Sequence, residues 1–229
     1  MQHTVTDYKT LVFDCDGVIL NSNKVKTDAF YRAALPYSEA AAQALLEYHV
    51  AHGGVSRYKK FAYFLEQIVP ITAPSVSGPD LDELLSHYAQ SVQHGLLTCE
   101  VAVGLYELRA RTPHANWLIV SGGDQTELRD VFAKRDLDKL FDGGIFGSPE
   151  TKEIILAHEL ANRNIQHPAL FLGDSKYDYQ AANTAGLEFV FLSAWSEVEG
   201  WKKFVAEKNL STRKNIREIA NNLKYFIKE

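Results

Sequence analysis

The chain has 229 residues, 46% of them hydrophobic, enough for one sizeable core or for a core domain carrying a smaller one. A net charge of −5 leaves no basic stripe for a nucleic acid and no global field to attract anions, so any positive potential has to be local. Two cysteines in separate segments, no basic-then-apolar leader and no apolar run of bilayer length point to a reduced, cytoplasmic protein without a membrane partner.

The first apolar run, 11–13, ends in Asp14-Cys15-Asp16-Gly17-Val18. Side chains alternate along a strand, so Asp14 and Asp16 are expected on one side with Cys15 pointing away. Two anions so placed repel each other. Mg2+ would relieve them, because it takes hard oxygen ligands from carboxylates, water and phosphate. Asp16-Gly17 is equally a good turn dipeptide, and this segment alone does not separate a site from a turn.

From about 22 to 95 the periodicity is helical, predicting helices near 23–35, 39–52, 57–69 and 80–94, with breaks at Pro36, Gly53-Gly54 and Pro70 to Pro79. After Gly95, helix and strand alternate: a helix near 101–111, a strand 117–120, a helix from 125, a strand 169–172, a helix from 176 and a strand 189–192. Beyond 195 the chain reads as further helix, with Ile216, Ile219, Ala220, Leu223 and Ile227 on one stripe. Short apolar strands separated by helices predict an α/β fold, a Rossmann-like three-layer parallel sheet. The helical block would be an inserted α-helical bundle capping the first strand's carboxyl end, with residues 1–20 and 96–229 as core and 21–95 as cap.

Ligands of such sheets bind at the carboxyl ends of the strands. Those ends carry Asp14 and Asp16, then Ser121-Gly122-Gly123, then Gly173-Asp174-Ser175. Bare amides and a hydroxyl at Ser121 and Gly122 suit a phosphate, although Asp124 and Glu127 could simply cap a helix behind a glycine turn. Ser148-Pro149 reads as a helix start, which puts Lys152 in a first turn, the wrong end of the helix dipole for a cation unless it faces an anion. The alternative is a solvated lysine beside Glu150 and Glu153. Asp174 could complete a Mg2+ site with Asp14; Asp178 is either a further ligand or support, or a capping partner of Ser175.

In this order, Asp-x-Asp-Gly-Val, Ser, Lys and Gly-Asp-Ser-x-x-Asp span essentially the whole chain, and the pattern resembles the haloacid dehalogenase-like hydrolase superfamily. The insertion after the first motif resembles its helical-cap subgroup, which includes phosphoglycolate phosphatase-like enzymes and β-phosphoglucomutase. The resemblance implies Mg2+-dependent hydrolysis of a small phosphate ester, a phosphosugar or phosphorylated short acid, through an aspartyl-phosphate. Asp14 would be the nucleophile and Asp16 the general acid and base, which requires a raised pKa. Ser121, Gly122 and Lys152 would hold the phosphoryl oxygens, and Asp14, the Asp16 carbonyl, Asp174 and Asp178 would form the metal site. Two other readings remain: a phosphosugar mutase of the β-phosphoglucomutase type, and a non-catalytic phosphate-sensing or partner-binding protein. For the mutase, Gly54-Val55-Ser56-Arg57 resembles the loop whose arginine grips the phosphate that is not transferred, but it is also a plausible helix opening capped by Ser56. Against it, the family's cap histidine is absent: residues 23–29 offer Lys24 and Lys26. Substrate reading would fall to Arg57 and Lys26, with Lys24, Lys59 and Lys60 nearby.

Overall fold

The apolar runs pair into one parallel sheet of six strands among the described residues. In chain order these are β1 (Thr10–Phe13), β2 (Asn116–Asp124), β3 (Gly144–Ser148), β4 (Ala169–Gly173), β5 (Glu188–Leu192) and β6 (Ser211–Arg213), arranged β3-β2-β1-β4-β5-β6. The computed structural model describes residues 4–221; the stripe positions Leu223 and Ile227 lie outside them. Because the chain steps from β1 to one side for β2 and β3 and returns to the other side for β4, the order reverses between β1 and β4. Such a switch opens a crevice at the strands' carboxyl ends.

Both faces of the sheet are covered, as the continuous apolar strands require. Leu11 and Phe13 belong to one buried cluster with Trp117 and Ile119, while Val12 belongs to another with Leu118, Val120 and Phe171. On the first face Phe13 packs on Trp117, ring centroids 4.7 Å apart.

Between β1 and β2 lie α1 (Asn23–Ala34), α2 (Glu39–Ala51), α3 (Arg57–Tyr63), α4 (Val69–Thr72) and α5 (Leu81–Thr98), followed by α6 (Leu105–Arg111). The predicted helix over 57–69 is interrupted by a π-helical turn, Phe64–Ile68, that joins α3 to α4. Helix α5 is opened by the Asp80/Glu83 capping box and buries Leu84, Tyr88, Val92 and Leu96 at four-residue spacing. Phe30 of α1 gathers Phe61 and Tyr88 around it, at 5.0 and 4.5 Å between centroids, making the bundle's core. The two chain crossings into the bundle are fastened to each other: Leu20 bridges Val101, the Asn21 amide donates to the Glu100 carbonyl (2.9 Å), and the Ala102 amide to the Ile19 carbonyl (2.8 Å).

The remaining helices are α7 (Gln125–Lys134), α8 (Lys152–Ala161), α9 (Lys176–Thr184), α10 (Trp201–Lys208) and α11 (Ile216–Asn221). Three sequence expectations change. The helix expected near 101–111 starts only at Leu105, because Gly104 takes φ +91° just before it. Strand β3 was not anticipated, since two of its five residues are glycine, and polar β6 interrupts the helix expected beyond 195. No helix among the described residues is long and apolar enough to cross a membrane.

Candidate active site

Asp14 is the first residue past β1, and its amide donates to the Leu172 carbonyl of β4 (2.9 Å), which fixes it at the switch point. Asp14 and Asp16 line the same cavity while Cys15 is fully buried, as strand alternation predicts. Lys152 opens α8, but Thr151 is its N-cap; Ser148, expected in that place, ends β3 and donates to the Gly122 and Gly123 carbonyls (2.9 and 3.0 Å). The lysine is 1% exposed and donates to Asp14 Oδ1 (2.7 Å) and Asp178 Oδ1 (2.5 Å). Burial works against its charge, yet Asp14 and Asp178 outweigh burial and keep it protonated. The cation at the wrong end of a helix dipole therefore faces two anions.

Asp178 serves as capping residue and as support at once. Its Oδ2 accepts from the Asp174 and Ser175 amides (3.1 and 2.9 Å) and from Ser175 Oγ (2.7 Å), so both carboxylate oxygens are engaged. Asp174 accepts from Asn23 Nδ2 (2.9 Å) and forms no ion pair among the described residues. Burial, then Asp178 and Asp14, push its carboxyl well above the usual range. Gly17, at φ +76°, allows this approach: a Cβ there would run into the Asp174 carboxylate. Oxygens of Asp14, Asp174 and Asp178 lie within 4.8 Å of one another. Three buried acids around one ammonium leave an excess of negative charge, and the all-oxygen donor set fits a hard divalent cation.

Asp16 overturns one expectation. Burial raises its pKa, but the Lys26 ammonium (2.5 Å from Oδ2) and the Ser22 hydroxyl (2.5 Å from Oδ1) outweigh burial and hold it below the ordinary carboxylate value. Lys26 is thus committed to Asp16. Arg57, the other candidate reader, donates to both oxygens of Glu127 (3.2 and 3.3 Å) and lies 3.8 Å from Asp124, which also accepts from Tyr58 (2.7 Å). Lys24 pairs with Asp28 at the surface and Lys59 is exposed, whereas Lys60 is buried and lines the cavity.

Ser121, at the end of the apolar part of β2, is fully buried, and its Oγ accepts from the Gly123 amide (3.1 Å), leaving its own hydrogen to donate. At Gly122 the bundle touches the sheet, for a Cβ there would collide with the Gly54 carbonyl. Gly122→Ala is therefore expected to hold the bundle off its seat and lower kcat/KM by about a hundredfold, with little change in melting temperature. Steady-state kinetics and calorimetry on the one variant check both parts.

A family model described as haloacid dehalogenase-like hydrolase matches residues 8–186. The chain belongs to that family. Its fold is shared by several solved hydrolase-like structures. CbbY from Rhodobacter sphaeroides, in complex with phosphate, superposes at TM-score 0.66 with 14% identity over 93% of this chain and 96% of its own. A predicted phosphatase from Clostridium acetobutylicum gives 0.66 with 15% identity over the same shares, 93% and 96%. A predicted phosphoglycolate phosphatase from Haemophilus somnus gives 0.64 with 19% identity over 82% and 86%. No curated protein matches the sequence significantly.

Residues that sequence reading of this hydrolase passed over are Ser22, Asn23, His49, Asp124 with Glu127 as partners of Arg57, and Glu197. Each acts through a partner 6 to 172 positions away, which no local pattern announces.

Proposed function

We propose that this hydrolase is a divalent-metal-dependent phosphatase that cleaves a small phosphate ester through an aspartyl-phosphate on Asp14. The observation that carries the reading is the Asp14–Lys152 contact of 2.7 Å at the sheet's switch point, with Asp14 on the floor of a cavity roofed by the helical insertion. The α/β core supplies the nucleophile and the phosphate-binding groups, and the helical insertion, which runs to the end of α5 at Thr98, supplies the cap and Lys26. Asp14 attacks phosphorus as the bond to the leaving oxygen breaks, while Ser121, the Gly122 amide and Lys152 hold the phosphoryl oxygens. Asp16 is ionised and Lys26 holds the proton of the pair, so the leaving oxygen takes that proton, relayed from Lys26 through Asp16. Water then cleaves the aspartyl-phosphate, and the proton it releases passes to Asp16 and restores the Lys26–Asp16 pair. Mg2+, held by Asp14, the Asp16 carbonyl and Asp174 with Asp178 bracing Lys152 and the loop, would screen the repulsion between nucleophile and phosphate.

The cavity, about 70 Å3 and lined by polar and charged side chains from core and cap, suits a small phosphate ester. The resemblance to a predicted phosphoglycolate phosphatase supports the same class. Arg57 bears against the mutase reading, because Glu127 and Asp124 neutralise the guanidinium that a second phosphate would need. Mg2+-dependent phosphate release from an aryl phosphate and from a panel of short phosphorylated metabolites tests the proposal. Isomerised phosphosugar without free phosphate would overturn it, and no turnover on any ester would leave a binding protein.

The acid cluster also sets a pH dependence. In the metal-free protein Asp14 is pushed up to about 7 by burial, which with Asp178 and Asp16 outweighs Lys152. The folded state then retains a proton that the unfolded chain releases near 4, so stability is fullest below that pH and declines as pH rises toward 7. Adding Mg2+ is expected to raise the melting temperature by several degrees at pH 8 and by little at pH 5. Calorimetric scans with and without the metal at both pH values decide it.

A further inference from the structure

Of the cations around the cavity, Lys152 is matched by Asp14 and Asp178, Lys26 by Asp16, and Arg57 by Glu127. Lys60 has no carboxylate within ion-pair distance among the described residues, although it is only 1% exposed. A buried lysine without an acid is rare. Its ammonium donates to His49 Nδ1 (2.7 Å), and its other hydrogen bond, to the His49 carbonyl, is long at 3.4 Å. The direction of the first bond follows from its neighbours. Thr27 Oγ1 spends its single hydrogen on Glu197 (2.8 Å), so toward His49 Nε2 (3.1 Å) it can only accept. Nε2 therefore carries the imidazole proton and Nδ1 the lone pair. The chain Lys60, His49, Thr27, Glu197 donates in one direction throughout, from the cap to the loop after β5, and leaves Lys60 a hydrogen for the cavity.

Resting on the phosphatase reading, we propose that Lys60 is the specificity residue of the cap and takes a single carboxylate at the far end of the substrate, making the substrate a short phosphorylated carboxylic acid. One unmatched positive charge suits a carboxylate monoanion better than a second phosphate, which is more highly charged. His49 is a positioning residue: it fixes the ammonium and ties it, through Thr27, to Glu197 of the core.

The ammonium is also open to titration. Burial, then the Lys26 charge, pushes Lys60 down to about 7, with Asp16 and Glu197 pulling the other way and His49 kept neutral beside it. Affinity for the carboxylate should then weaken above that pH.

The test compares two phosphate esters of equal length, one ending in a carboxylate and one in a neutral hydroxyl, on wild type and on Lys60→Met, whose unbranched side chain keeps the packing. Wild type is expected to prefer the carboxylate ester in kcat/KM, and Lys60→Met to lower that ratio by about 10- to 100-fold, as loss of one charged hydrogen bond implies. For wild type the KM of the carboxylate ester should rise above pH 7 while that of the neutral ester does not follow it. A wild-type preference for the neutral ester, or a ratio unaltered in Lys60→Met, overturns the proposal. Calorimetric binding of the same two esters to Asp14→Asn, with and without Lys60→Met, reads the preference without turnover. Absence of phosphate release in wild type would then defeat the phosphatase reading alone, and the binding ratio would still decide Lys60.

Discussion

Replacing Lys152 with methionine is expected to destabilise the fold by about 3–5 kcal/mol and to abolish turnover. The side chain is 1% exposed and sits between Asp14 and Asp178, so its removal leaves two carboxylates facing each other in a buried site. That loss is a large part of the ~5–15 kcal/mol that usually holds a domain together. Urea denaturation read by circular dichroism measures the stability. The cause can be isolated by adding Asp178→Asn to the variant: removing the stranded anion should restore part of the stability while turnover stays absent. A Lys152→Met protein as stable as wild type would show that the ammonium is not what balances these acids.

Asp14→Asn is expected to behave in the opposite way on stability. Turnover should fall at least about a thousandfold, because an amide cannot attack phosphorus. Yet the protein should become more stable at pH 8 without metal. Asp14, pushed up to about 7, is held ionised there against its surroundings, and the neutral amide removes that strain, a gain of up to about 4 kcal/mol. The pH range follows from the sign: the gain is absent near pH 4, where wild-type Asp14 is already neutral, and grows toward pH 8. Melting curves across that range, beside assays of phosphate release, separate a catalytic loss from a folding defect. If the variant melts lower than wild type at pH 8, the acids are better compensated than the geometry implies.

The framework of the site was legible because acids, hydroxyls and glycines interrupt apolar runs, and a run so interrupted marks a strand's carboxyl end. Asp14, Ser121 and Asp174 were placed by that logic, and the long helical block between the first two announced the insertion. What the sequence could not supply was pairing across elements. The raised pKa expected of Asp16 came from the general-acid role that the resemblance implies; only the folding of α1 back over the strand end brings Lys26 to it. Arg57 reads as a free guanidinium until α7 presents Glu127 70 positions later. Strand β3 escaped because Gly144 and Gly147 dilute its apolar character, and with it went the anchor, Ser148, that shapes the Gly122-Gly123 turn.

The fastening of the two chain crossings, Leu20 to Val101 and Asn21 to Glu100, has a kinematic consequence. Any opening of the insertion would turn about this backbone fastening, with each part travelling in proportion to its distance from it. Lys26, in the first turn of α1 just past the crossing, would move least and stay beside Asp16. Lys60 and Arg57, carried on α3, lie farther from the fastening and are tied to the core through side chains, Arg57 by Glu127 and Lys60 through His49 and Thr27 to Glu197, bonds that such a movement would have to break. On the proposed mechanism the proton-handling pair would thus stay assembled while the Lys60 end of the cavity opens to admit the ester and release the product.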